Sequence, residues 1–600
     1  MAAGEHGRSG GYAPLRAYAA IGDGRALALV ATDGAIDWLC APEIDGESVF
    51  GALLDVSRGG RATLLPLAPW GVERRYLPGT NVLETTFSTA AGTLRVTDAM
   101  AVEDDGAFRT IVRRIECLSG SVELAWSVAP RFAYGAVDPG VAPAPNGALL
   151  AGAGLVLRVQ AWDLGEPMID AAGASGRCCL EIGERALLTM AVGEQEPPER
   201  GRDELEGALD ETERWWRAWT STLEYDGPWR DAVVRSGLAL KLLVSRQTGA
   251  VLAAGTTSLP EVVGGVRNWD YRYSWVRDSL LVLDALFELG RASEAGAYFT
   301  WLRERLDPDS GEVGVLYDLR GKECAPEREL DLAGWCRSQP VRVGNGAAGQ
   351  YQQSTYGTLL HACHLYADHA HGGLPDEQRL TILRSASHLA ATWAYPDAGI
   401  WEERGEDAHH THSKMMTAVG LHCASDLARR GGGDPTLAER LGQAAAQAAA
   451  FVEASCAARG TDAYARVAHG DEYDAAVLMP LSMGYERWAA PGRVDRTIDT
   501  IREQLGGGGN LLHRYRHDDG LPGDEGRFTP CSFWLASALA HAGRADEAAA
   551  VLDELTGLAN DVGLYSEELG SGGEFLGNLP QAITHASLIS AAADIGDAVR

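Results

Sequence analysis

The chain lacks any hydrophobic run long enough to cross a membrane. A spanning helix needs about 20 consecutive apolar residues, so a transmembrane protein is excluded. The first residues, Met1 to Gly11, are polar and glycine-rich, and no apolar run follows a positively charged segment. We therefore expect neither a signal peptide nor a membrane partner.

The CxxC motif is also missing: no two of the ten cysteines have this spacing. The single adjacent pair, Cys178 and Cys179, cannot bridge easily. Scattered cysteines of this kind are typical of reduced thiols, which predicts a cytoplasmic protein.

Positive charge is scarce: 52 Lys and Arg against 83 Asp and Glu leave a net charge of −31. Such a surface repels phosphate backbones and anionic lipid, so we expect no nucleic-acid partner. Hydrophobic residues make up 46% of the chain, enough for a large core. A length of 600 residues predicts two or more domains.

The first part of the chain, 1–200, is predicted to be an antiparallel β-sandwich. Short β-rich runs such as 26–30 and 155–159 recur there, and Gly, Asp, Asn and Pro separate them at short intervals. The next segment, 201–227, has helical spacing with three tryptophans near one face. We interpret it as a linker helix.

The remainder, 228–600, has about twelve segments whose apolar residues recur at helical spacing. They are 228–248, 277–290, 292–306, 353–368, 376–394, 412–430, 435–458, 472–484, 493–505, 531–542, 543–559 and 579–595. Twelve helices without a fixed sequence repeat favour six hairpins closed into an (α/α)₆ barrel. The helix count alone leaves an open α-solenoid possible. Long loops rich in glycine and aromatic residues favour the barrel, and we expect a functional site on them.

Two pairs of glutamates stand out in these loops. Glu402 and Glu403 lie between a tryptophan and an arginine, and Glu567 and Glu568 lie near the end of the chain. Hydrolysis of an acetal needs one carboxylic acid for the leaving oxygen and one carboxylate on the opposite face of the ring. A buried environment can keep one of them protonated near neutral pH. By residue identity alone, a solvated acidic pair is the commoner explanation.

The loop 264–278 alternates aromatic residues with arginine and aspartate. Rings stack on the apolar faces of sugars, and arginine and aspartate bind vicinal hydroxyls. A structural Arg/Asp network under an aromatic cluster is an equally good explanation of this pattern. The histidine tract at 409–412 has no further ligand set, so we predict no metal and no cofactor.

Ordered motifs from one end of the chain to the other carry a family resemblance. They include Asp33 to Cys40, Asn268 to Asp278, Gly399 to Arg404, Ser566 to Glu568, and Gly577 to Ala582. Through them the chain resembles glycoside hydrolase family 15, the bacterial glucoamylases and glucoamylase-like trehalases. The resemblance implies an N-terminal antiparallel β-sandwich domain, a linker helix and a catalytic (α/α)₆ barrel.

The resemblance also implies roles for individual residues. Glu402 matches the general acid and Glu567 the general base of an inverting hydrolase that releases β-glucose. Arg277 and Asp278 match the residues that bind the terminal glucose, and Glu403 is expected to contact sugar hydroxyls or to raise the proton affinity of Glu402. The other residues predicted to bind substrate are Trp275, Trp401, Tyr273, Arg404 and Glu568.

The function implied first is an exo-acting α-glucoside hydrolase of the glucoamylase or α-glucosidase type, with a small carbohydrate such as maltose or isomaltose as substrate. A trehalase of the same family is the alternative. A phosphorylase on a similar barrel and an inactive carbohydrate-binding protein are less favoured, because both Glu402 and Glu567 are present. Departures from the family pattern at Ser354, His410 and His412 lie in loops expected to shape the leaving-group side.

Overall fold

The computed structural model describes residues 7–103, 106–369, 376–430, 433–523 and 525–599. An antiparallel β-sandwich comes first in the chain and a ring of helices follows it, as the sequence predicts. None of the helices in the described ranges is both long and apolar enough to cross a lipid bilayer.

The sandwich is built from two antiparallel layers that share one long strand. Its strands are β1 (Tyr18–Gly22), β2 (Leu27–Ala31), β3 (Ile36–Cys40), β4 (Ser48–Phe50), β5 (Gly60–Pro66), β6 (Trp70–Tyr76), β7 (Leu83–Thr89), β8 (Gly92–Met100), β9 (Arg109–Pro130), β10 (Gly140–Ala144), β11 (Gly147–Gly152), β12 (Leu155–Trp162), β13 (Met168–Asp170), β14 (Gly173–Glu181) and β15 (Arg185–Gly193). The first half of β9 pairs with β8 and β15, and the second half pairs with β5 and β14. Between the halves lies Gly120, whose φ of +62° suits glycine and lets the strand pass from one layer to the other.

A single turn, α1 (Phe132–Gly135), and the linker helix α2 (Arg202–Thr220) complete this half of the chain. The body of α2 packs against β8 and β9. At its C-terminal end the indole of Trp219 donates a hydrogen bond of 2.9 Å to Glu294 in the helical part. The helix therefore contacts both halves; the boundaries expected at 200 and 227 stay predictions.

Twelve helices follow in the described residues. They are α3 (Arg230–Leu243), α4 (Val276–Glu288), α5 (Ala292–Arg303), α6 (Gln353–His369), α7 (Asp376–Thr392), α8 (Thr411–Arg429), α9 (Pro435–Ser455), α10 (Leu478–Ser482), α11 (Arg493–Gly506), α12 (Thr529–His541), α13 (Ala545–Thr556) and α14 (Ala582–Val599). Helices α4, α6, α8, α10, α12 and α14 each pack against the next, and α14 packs back against α4. This inner ring is closed, which excludes the open solenoid.

Burial follows position in the ring. The inner helix α12 is buried along almost its whole length, whereas the outer helix α11 buries one side only. A helix that is apolar all round belongs inside a fold, and an amphipathic helix belongs at its surface. The helix predicted over 472–484 is shorter than expected: a 3₁₀ turn leads into the five-residue α10, and the backbone then turns at Gly484 with φ of +95°.

The long loops at one end of the ring are held by short strands: β16 (Thr257–Pro260), β17 (Asn268–Asp270), β18 (Ser274–Trp275), β19 (Leu316–Tyr317), β20 (Arg328–Leu330), β21 (Val341–Val343), β22 (Arg527–Phe528), β23 (Glu568–Leu569) and β24 (Phe575–Leu576). These loops lead into the N-terminal ends of inner helices. The residues predicted for the site lie in these loops or in the first turn of α4.

The β-sandwich supports the loop that leads into α4. The guanidinium of Arg272 donates to both oxygens of Asp270, at 2.9 and 2.7 Å, and to the backbone oxygen of Gly46 in the sandwich at 2.7 Å. The indole of Trp38 donates to the backbone oxygen of Gly255 at 3.0 Å. Since Arg272 and Asp270 are fully buried, this ion pair fixes the loop against the N-terminal domain.

We expect Arg272→Met to destabilise the protein by about 3–5 kcal/mol, because it leaves the buried Asp270 charge without its partner. Chemical denaturation followed by tryptophan fluorescence measures the loss. The double variant Arg272→Met, Asp270→Asn removes both charges and should recover much of the stability. A single variant as stable as the parent would show that this ion pair does not hold the loop.

Candidate active site

The loops enclose a small cavity, here called the inner cavity, above the inner helices. It contains about 500 Å³ of space not filled by protein atoms, including the open solvent at its mouth. Trp275, Arg277, Asp278, Glu402 and Glu567 all line it. Residues from three distant parts of the chain therefore meet in one place.

A second, larger cavity adjoins the inner one and is here called the outer cavity. Tyr271, Trp401, Glu402 and Arg514 line both cavities, whereas Glu567 lines the inner cavity only. Glu402 thus stands at the boundary between the two spaces. A ligand with one ring in each cavity would have the junction between its rings next to this carboxyl group.

Glu402 is held in an unusual backbone conformation. Its φ is +62°, in the left-handed region that non-glycine residues seldom adopt. The side chain of Gln350 donates to the backbone oxygens of Glu402 and Glu403, at 3.1 and 3.3 Å. These two hydrogen bonds hold the strained backbone in place. The backbone conformation directs the carboxyl group of Glu402 toward the cavity.

The carboxyl group of Glu402 has three polar neighbours. The indole of Trp275 donates to its Oε1 at 2.7 Å, Gln352 donates at 3.5 Å, and the Arg277 guanidinium lies 3.8 Å away. Burial nevertheless raises the pKa of Glu402; Arg277 opposes this rise and Asp278 adds to it. The side chain can therefore keep a proton at a higher pH than an exposed glutamate.

Glu403 lines the outer cavity only, a position that agrees with its expected contact with sugar hydroxyls. Its carboxylate is bonded to Arg466 at 2.9 and 3.1 Å, and His517 lies 3.5 Å away. The carboxylate that adds to the rise in the pKa of Glu402 is Asp278, and the effect expected from Glu403 stays a prediction.

Glu567 lies across the inner cavity in the loop that leads into α14. Its Oε2 accepts a hydrogen bond of 2.8 Å from the backbone nitrogen of Asn578, and its Oε1 has no hydrogen-bond partner in the described part of the chain. Burial raises the pKa of Glu567, and the nearby Glu261 raises it further. One oxygen is therefore fixed by the backbone, while the other remains able to accept a proton.

Glu568, which was predicted to bind substrate, faces away from both cavities. It is fully buried in β23, and its Oε2 accepts a hydrogen bond of 2.9 Å from the backbone nitrogen of Gly526. Side chains alternate between the two faces of a strand, so neighbours at 567 and 568 cannot both face the sugar. The prediction for Glu568 is wrong for this reason.

Arg277 and Asp278 lie together in the first turn of α4, on the cavity wall. The guanidinium of Arg277 donates to Asp278 at 2.9 Å and to the side chain of Gln352 at 2.7 Å. This arrangement holds two charged groups side by side on the cavity wall, and their binding of sugar hydroxyls stays a prediction.

Of the three aromatic residues predicted to contact the substrate, two line the inner cavity and the third lines neither cavity. Trp275 and Trp401 line the inner cavity, and Trp401 also donates to both oxygens of Asp474 at 2.9 Å. Tyr273 lines neither cavity and is packed instead in a small apolar cluster. Tyr271, two residues earlier, takes the place expected for it on the wall.

Arg404 borders the outer cavity and not the inner one. Its guanidinium stacks on Trp269 at 4.7 Å and forms a 2.9 Å ion pair with Glu327. Its position therefore agrees with a role toward a second ring.

Sequence analysis missed Arg514, which lines both cavities. Its guanidinium lies 5.4 Å from the centre of the Trp401 ring and forms a 2.7 Å bond to the buried Glu261. No repeated spacing or adjacent acidic residue marks Arg514 in the sequence. The rings of Tyr271 and Phe528 were also missed, although Tyr271 belongs to the alternating loop that was singled out.

One group of side chains within the described residues has the composition of a metal site: Glu261, Glu525 and Glu568, whose oxygens lie within 4.8 Å of one another. The Arg514 guanidinium is bonded to Glu261 at 2.7 Å and to Glu525 at 2.8 Å. A cation would have to share this space with a guanidinium, so the group is poorly suited to a metal. Within the described residues, the histidines at 409–412 do not belong to any group of three or more closely spaced metal-ligating side chains.

Comparison with known proteins agrees with both halves of the structure. The family model described as glycosyl hydrolases family 15 matches residues 227–593, and the model described as trehalase-like, N-terminal matches residues 8–207. A trehalase of Mycolicibacterium smegmatis is 35% identical over 97% of this chain and 91% of its own length. A trehalase of Thermoplasma volcanium is 30% identical over 98% of this chain and 94% of its own length.

Among solved structures, a bacterial glucoamylase complexed with acarbose is similar to this chain. The TM-score is 0.72 at 13% sequence identity, and the alignment covers 98% of this chain and 96% of the glucoamylase. At this identity the likeness concerns the fold.

We expect Gly577→Ala to destabilise the protein more than Gly573→Ala does. Both glycines have positive φ, +71° and +81°, but a Cβ at 577 would meet Oε2 of Glu567 at 2.3 Å, whereas a Cβ at 573 meets nothing within 4 Å. The difference between the two variants isolates this clash and should be about 1–3 kcal/mol. Thermal unfolding of the two variants measures it; equal losses would contradict the close fit of the loop around Glu567.

Proposed function

Because the chain belongs to glycosyl hydrolases family 15, we propose that it hydrolyses α,α-trehalose to two molecules of glucose. Sequence similarity supports this substrate: the relatives at 30–35% identity that align over nearly the full chain are named trehalase. The similarity to a glucoamylase is one of fold, at 13% identity. The trehalase alternative is therefore preferred to a glucoamylase acting on maltose or isomaltose.

The observation that carries the proposal is the position of Glu402 between the two cavities. Glu402 lines both of them, and Glu567 lines the inner one alone. One glucose of trehalose then lies in the inner cavity against Arg277 and Asp278, and the leaving glucose lies in the outer cavity. The glycosidic oxygen joins the two rings and falls beside Glu402.

In the proposed reaction, Glu402 is the general acid and gives its proton to the glycosidic oxygen. Glu567 is the general base: its Oε1 takes a proton from a water molecule, whose oxygen attacks the anomeric carbon of the inner glucose. The bond from that carbon to the glycosidic oxygen breaks as the new bond forms, so the configuration inverts. The raised pKa of Glu402, caused by burial, suits an acid that must stay protonated near neutral pH.

Charge compensation favours hydrolysis over phosphorolysis. Four arginines that line the cavities each have a carboxylate within 3 Å: Arg277 with Asp278, Arg514 with Glu261, Arg267 with Asp519, and Arg404 with Glu327. A phosphate ion would need positive charge that is not already neutralised. Paired arginines suit the hydroxyls of a neutral sugar better.

The expected partner is accordingly a small, neutral carbohydrate. The scattered, unpaired cysteines remain the basis for proposing a cytoplasmic location.

We expect the kcat/KM for trehalose to be higher than that for maltose or isomaltose. The two glucose molecules released from trehalose should differ in anomeric configuration. Inversion makes β-glucose from the inner ring, while the leaving glucose keeps its α configuration. NMR spectra taken before mutarotation should show equal amounts of both anomers. In water enriched in the heavy oxygen isotope, the label should appear on the β-anomer alone.

Glu567→Gln is the control for that assay and should lower kcat by about two to four orders of magnitude, since a general base contributes a factor of this size. Turnover of maltose but not trehalose would favour the glucoamylase-type function. Label on the α-anomer, or full activity in Glu567→Gln, would contradict the mechanism.

Trp275→Phe is expected to move the alkaline limb of the kcat/KM profile to higher pH. The indole of Trp275 donates to Oε1 of Glu402 and lowers its pKa, because this hydrogen bond favours the ionised form. Without the bond the pKa of Glu402 rises, and the acid stays protonated to a pH about one unit higher. Trp301→Phe removes an indole whose partner is the backbone oxygen of Leu319; neither residue lines a cavity, so the limb should stay in place. An unchanged limb in Trp275→Phe would argue against Glu402 as the acid.

A further inference from the structure

Near Glu567, and outside the lining of both cavities, lies a buried acidic group formed by Glu261, Glu525 and Glu568. Their carboxylate oxygens come within 4.8 Å of one another. Glu261 and Glu568 are almost fully buried, at 1% and 0% exposure. Like charges at this spacing and burial cannot all remain ionised without strong compensation.

The positive charge that offsets these carboxylates is unevenly distributed over the acidic group. Glu525 bonds two arginines, Arg514 at 2.8 Å and Arg267 at 2.6 Å, and Glu261 bonds Arg514 at 2.7 Å. Arg267 also bonds both oxygens of Asp519, at 2.6 and 2.7 Å. The two guanidiniums are therefore already committed to three carboxylates.

Glu568 receives the least compensation. Its Oε2 accepts from the backbone nitrogen of Gly526 at 2.9 Å. Its Oε1 has no hydrogen-bond partner within the described residues and lies 3.4 Å from Arg514 Nη2, which is bonded to Glu261. If Glu568 were ionised, its charge would lie next to the charge that Glu567 needs as a base.

The groups around Glu568 include one cation and several acidic side chains. Glu261 approaches from the loop after β16, Glu525 and Arg514 from the loop before α12, Cys531 from α12 itself, and Glu567 from the same chain segment. Arg514 is the single cation of this set. Burial and then Glu261 raise the pKa of Glu568 well above its ordinary value, and Arg514 only partly offsets this rise.

We propose that Glu568 is a positioning residue that stays protonated while the enzyme works, and that its neutral side chain allows Glu567 to remain ionised as the base. This inference rests on the proposed role of Glu567. The proton on Glu568 takes no part in the reaction: no bond to it forms or breaks during turnover. The proton determines the charge beside the base. We place it on Oε1 of Glu568, which has no other hydrogen bond, facing the carboxylates of the group.

Infrared spectroscopy tests the protonation directly and needs no substrate. Glu402, the proposed acid, also holds a proton at neutral pH, so the wild-type protein should show carbonyl stretching bands from more than one protonated carboxyl group. The difference spectrum between the wild type and Glu568→Gln should show one such band lost. Glu525→Gln is the matched control, an equal change in the same group at a carboxylate bonded to two arginines, and its difference spectrum should show no lost band. A Glu568→Gln difference spectrum without a lost band would overturn the proposal whatever the substrate is.

The pH profile gives a second readout. Glutamine imitates a protonated glutamate, so Glu568→Gln should leave the acid limb of kcat/KM where it is in the wild type. Glu525→Gln removes a carboxylate, paired with Arg514 and Arg267, that raises the pKa of Glu567, and should move that limb to lower pH. A move to lower pH in Glu568→Gln would mean that Glu568 is ionised and would refute the inference. If Glu568→Gln does not fold, Glu568→Asp keeps the carboxyl group and should shift the infrared band instead of removing it; an unshifted band would also refute it.

Discussion

The guanidinium of Arg514 joins the two cavities to the buried acidic group behind them. It bonds Glu261 and Glu525, lies over the ring of Trp401 and faces both cavities. A site that hydrolyses acetals needs several buried carboxyl groups, and each one costs free energy unless its charge is paired or its proton retained. The distribution of arginines therefore decides which carboxyl groups are ionised, and through them which can act as acid or base.

The same constraint explains why the β-sandwich and the helical ring are built as one unit. The loop that leads into α4, whose first turn holds Arg277 and Asp278, has little regular structure of its own beyond the short β17 and β18. Its position is set by the buried pair of Arg272 and Asp270, which reaches the sandwich at Gly46. Irregular loops at the end of a barrel can hold a precise site when a second domain braces them from outside.

Much of the architecture was predictable because it follows from periodicity. The change from alternating runs to helical spacing separates the sandwich from the ring, and the helical segments were found close to their observed bounds. The exception was 472–484, where Pro480 and Gly484 shorten the helix. The closure of the ring was not a property of any single helix; it depends on α14 packing against α4, which pattern alone could only favour.

Residue identity and motif order by themselves predicted a site that contains Glu402, Glu567, an Arg–Asp pair and two tryptophans, all of which line the inner cavity. Only the tertiary structure decided that Glu402 and Glu567 face the inner cavity while Glu403 and Glu568 face elsewhere. The direction of a side chain depends on a left-handed turn at 402 and on strand alternation at 568. Its charge depends on Arg514 and Glu261, which are distant in sequence and adjacent only in the folded chain.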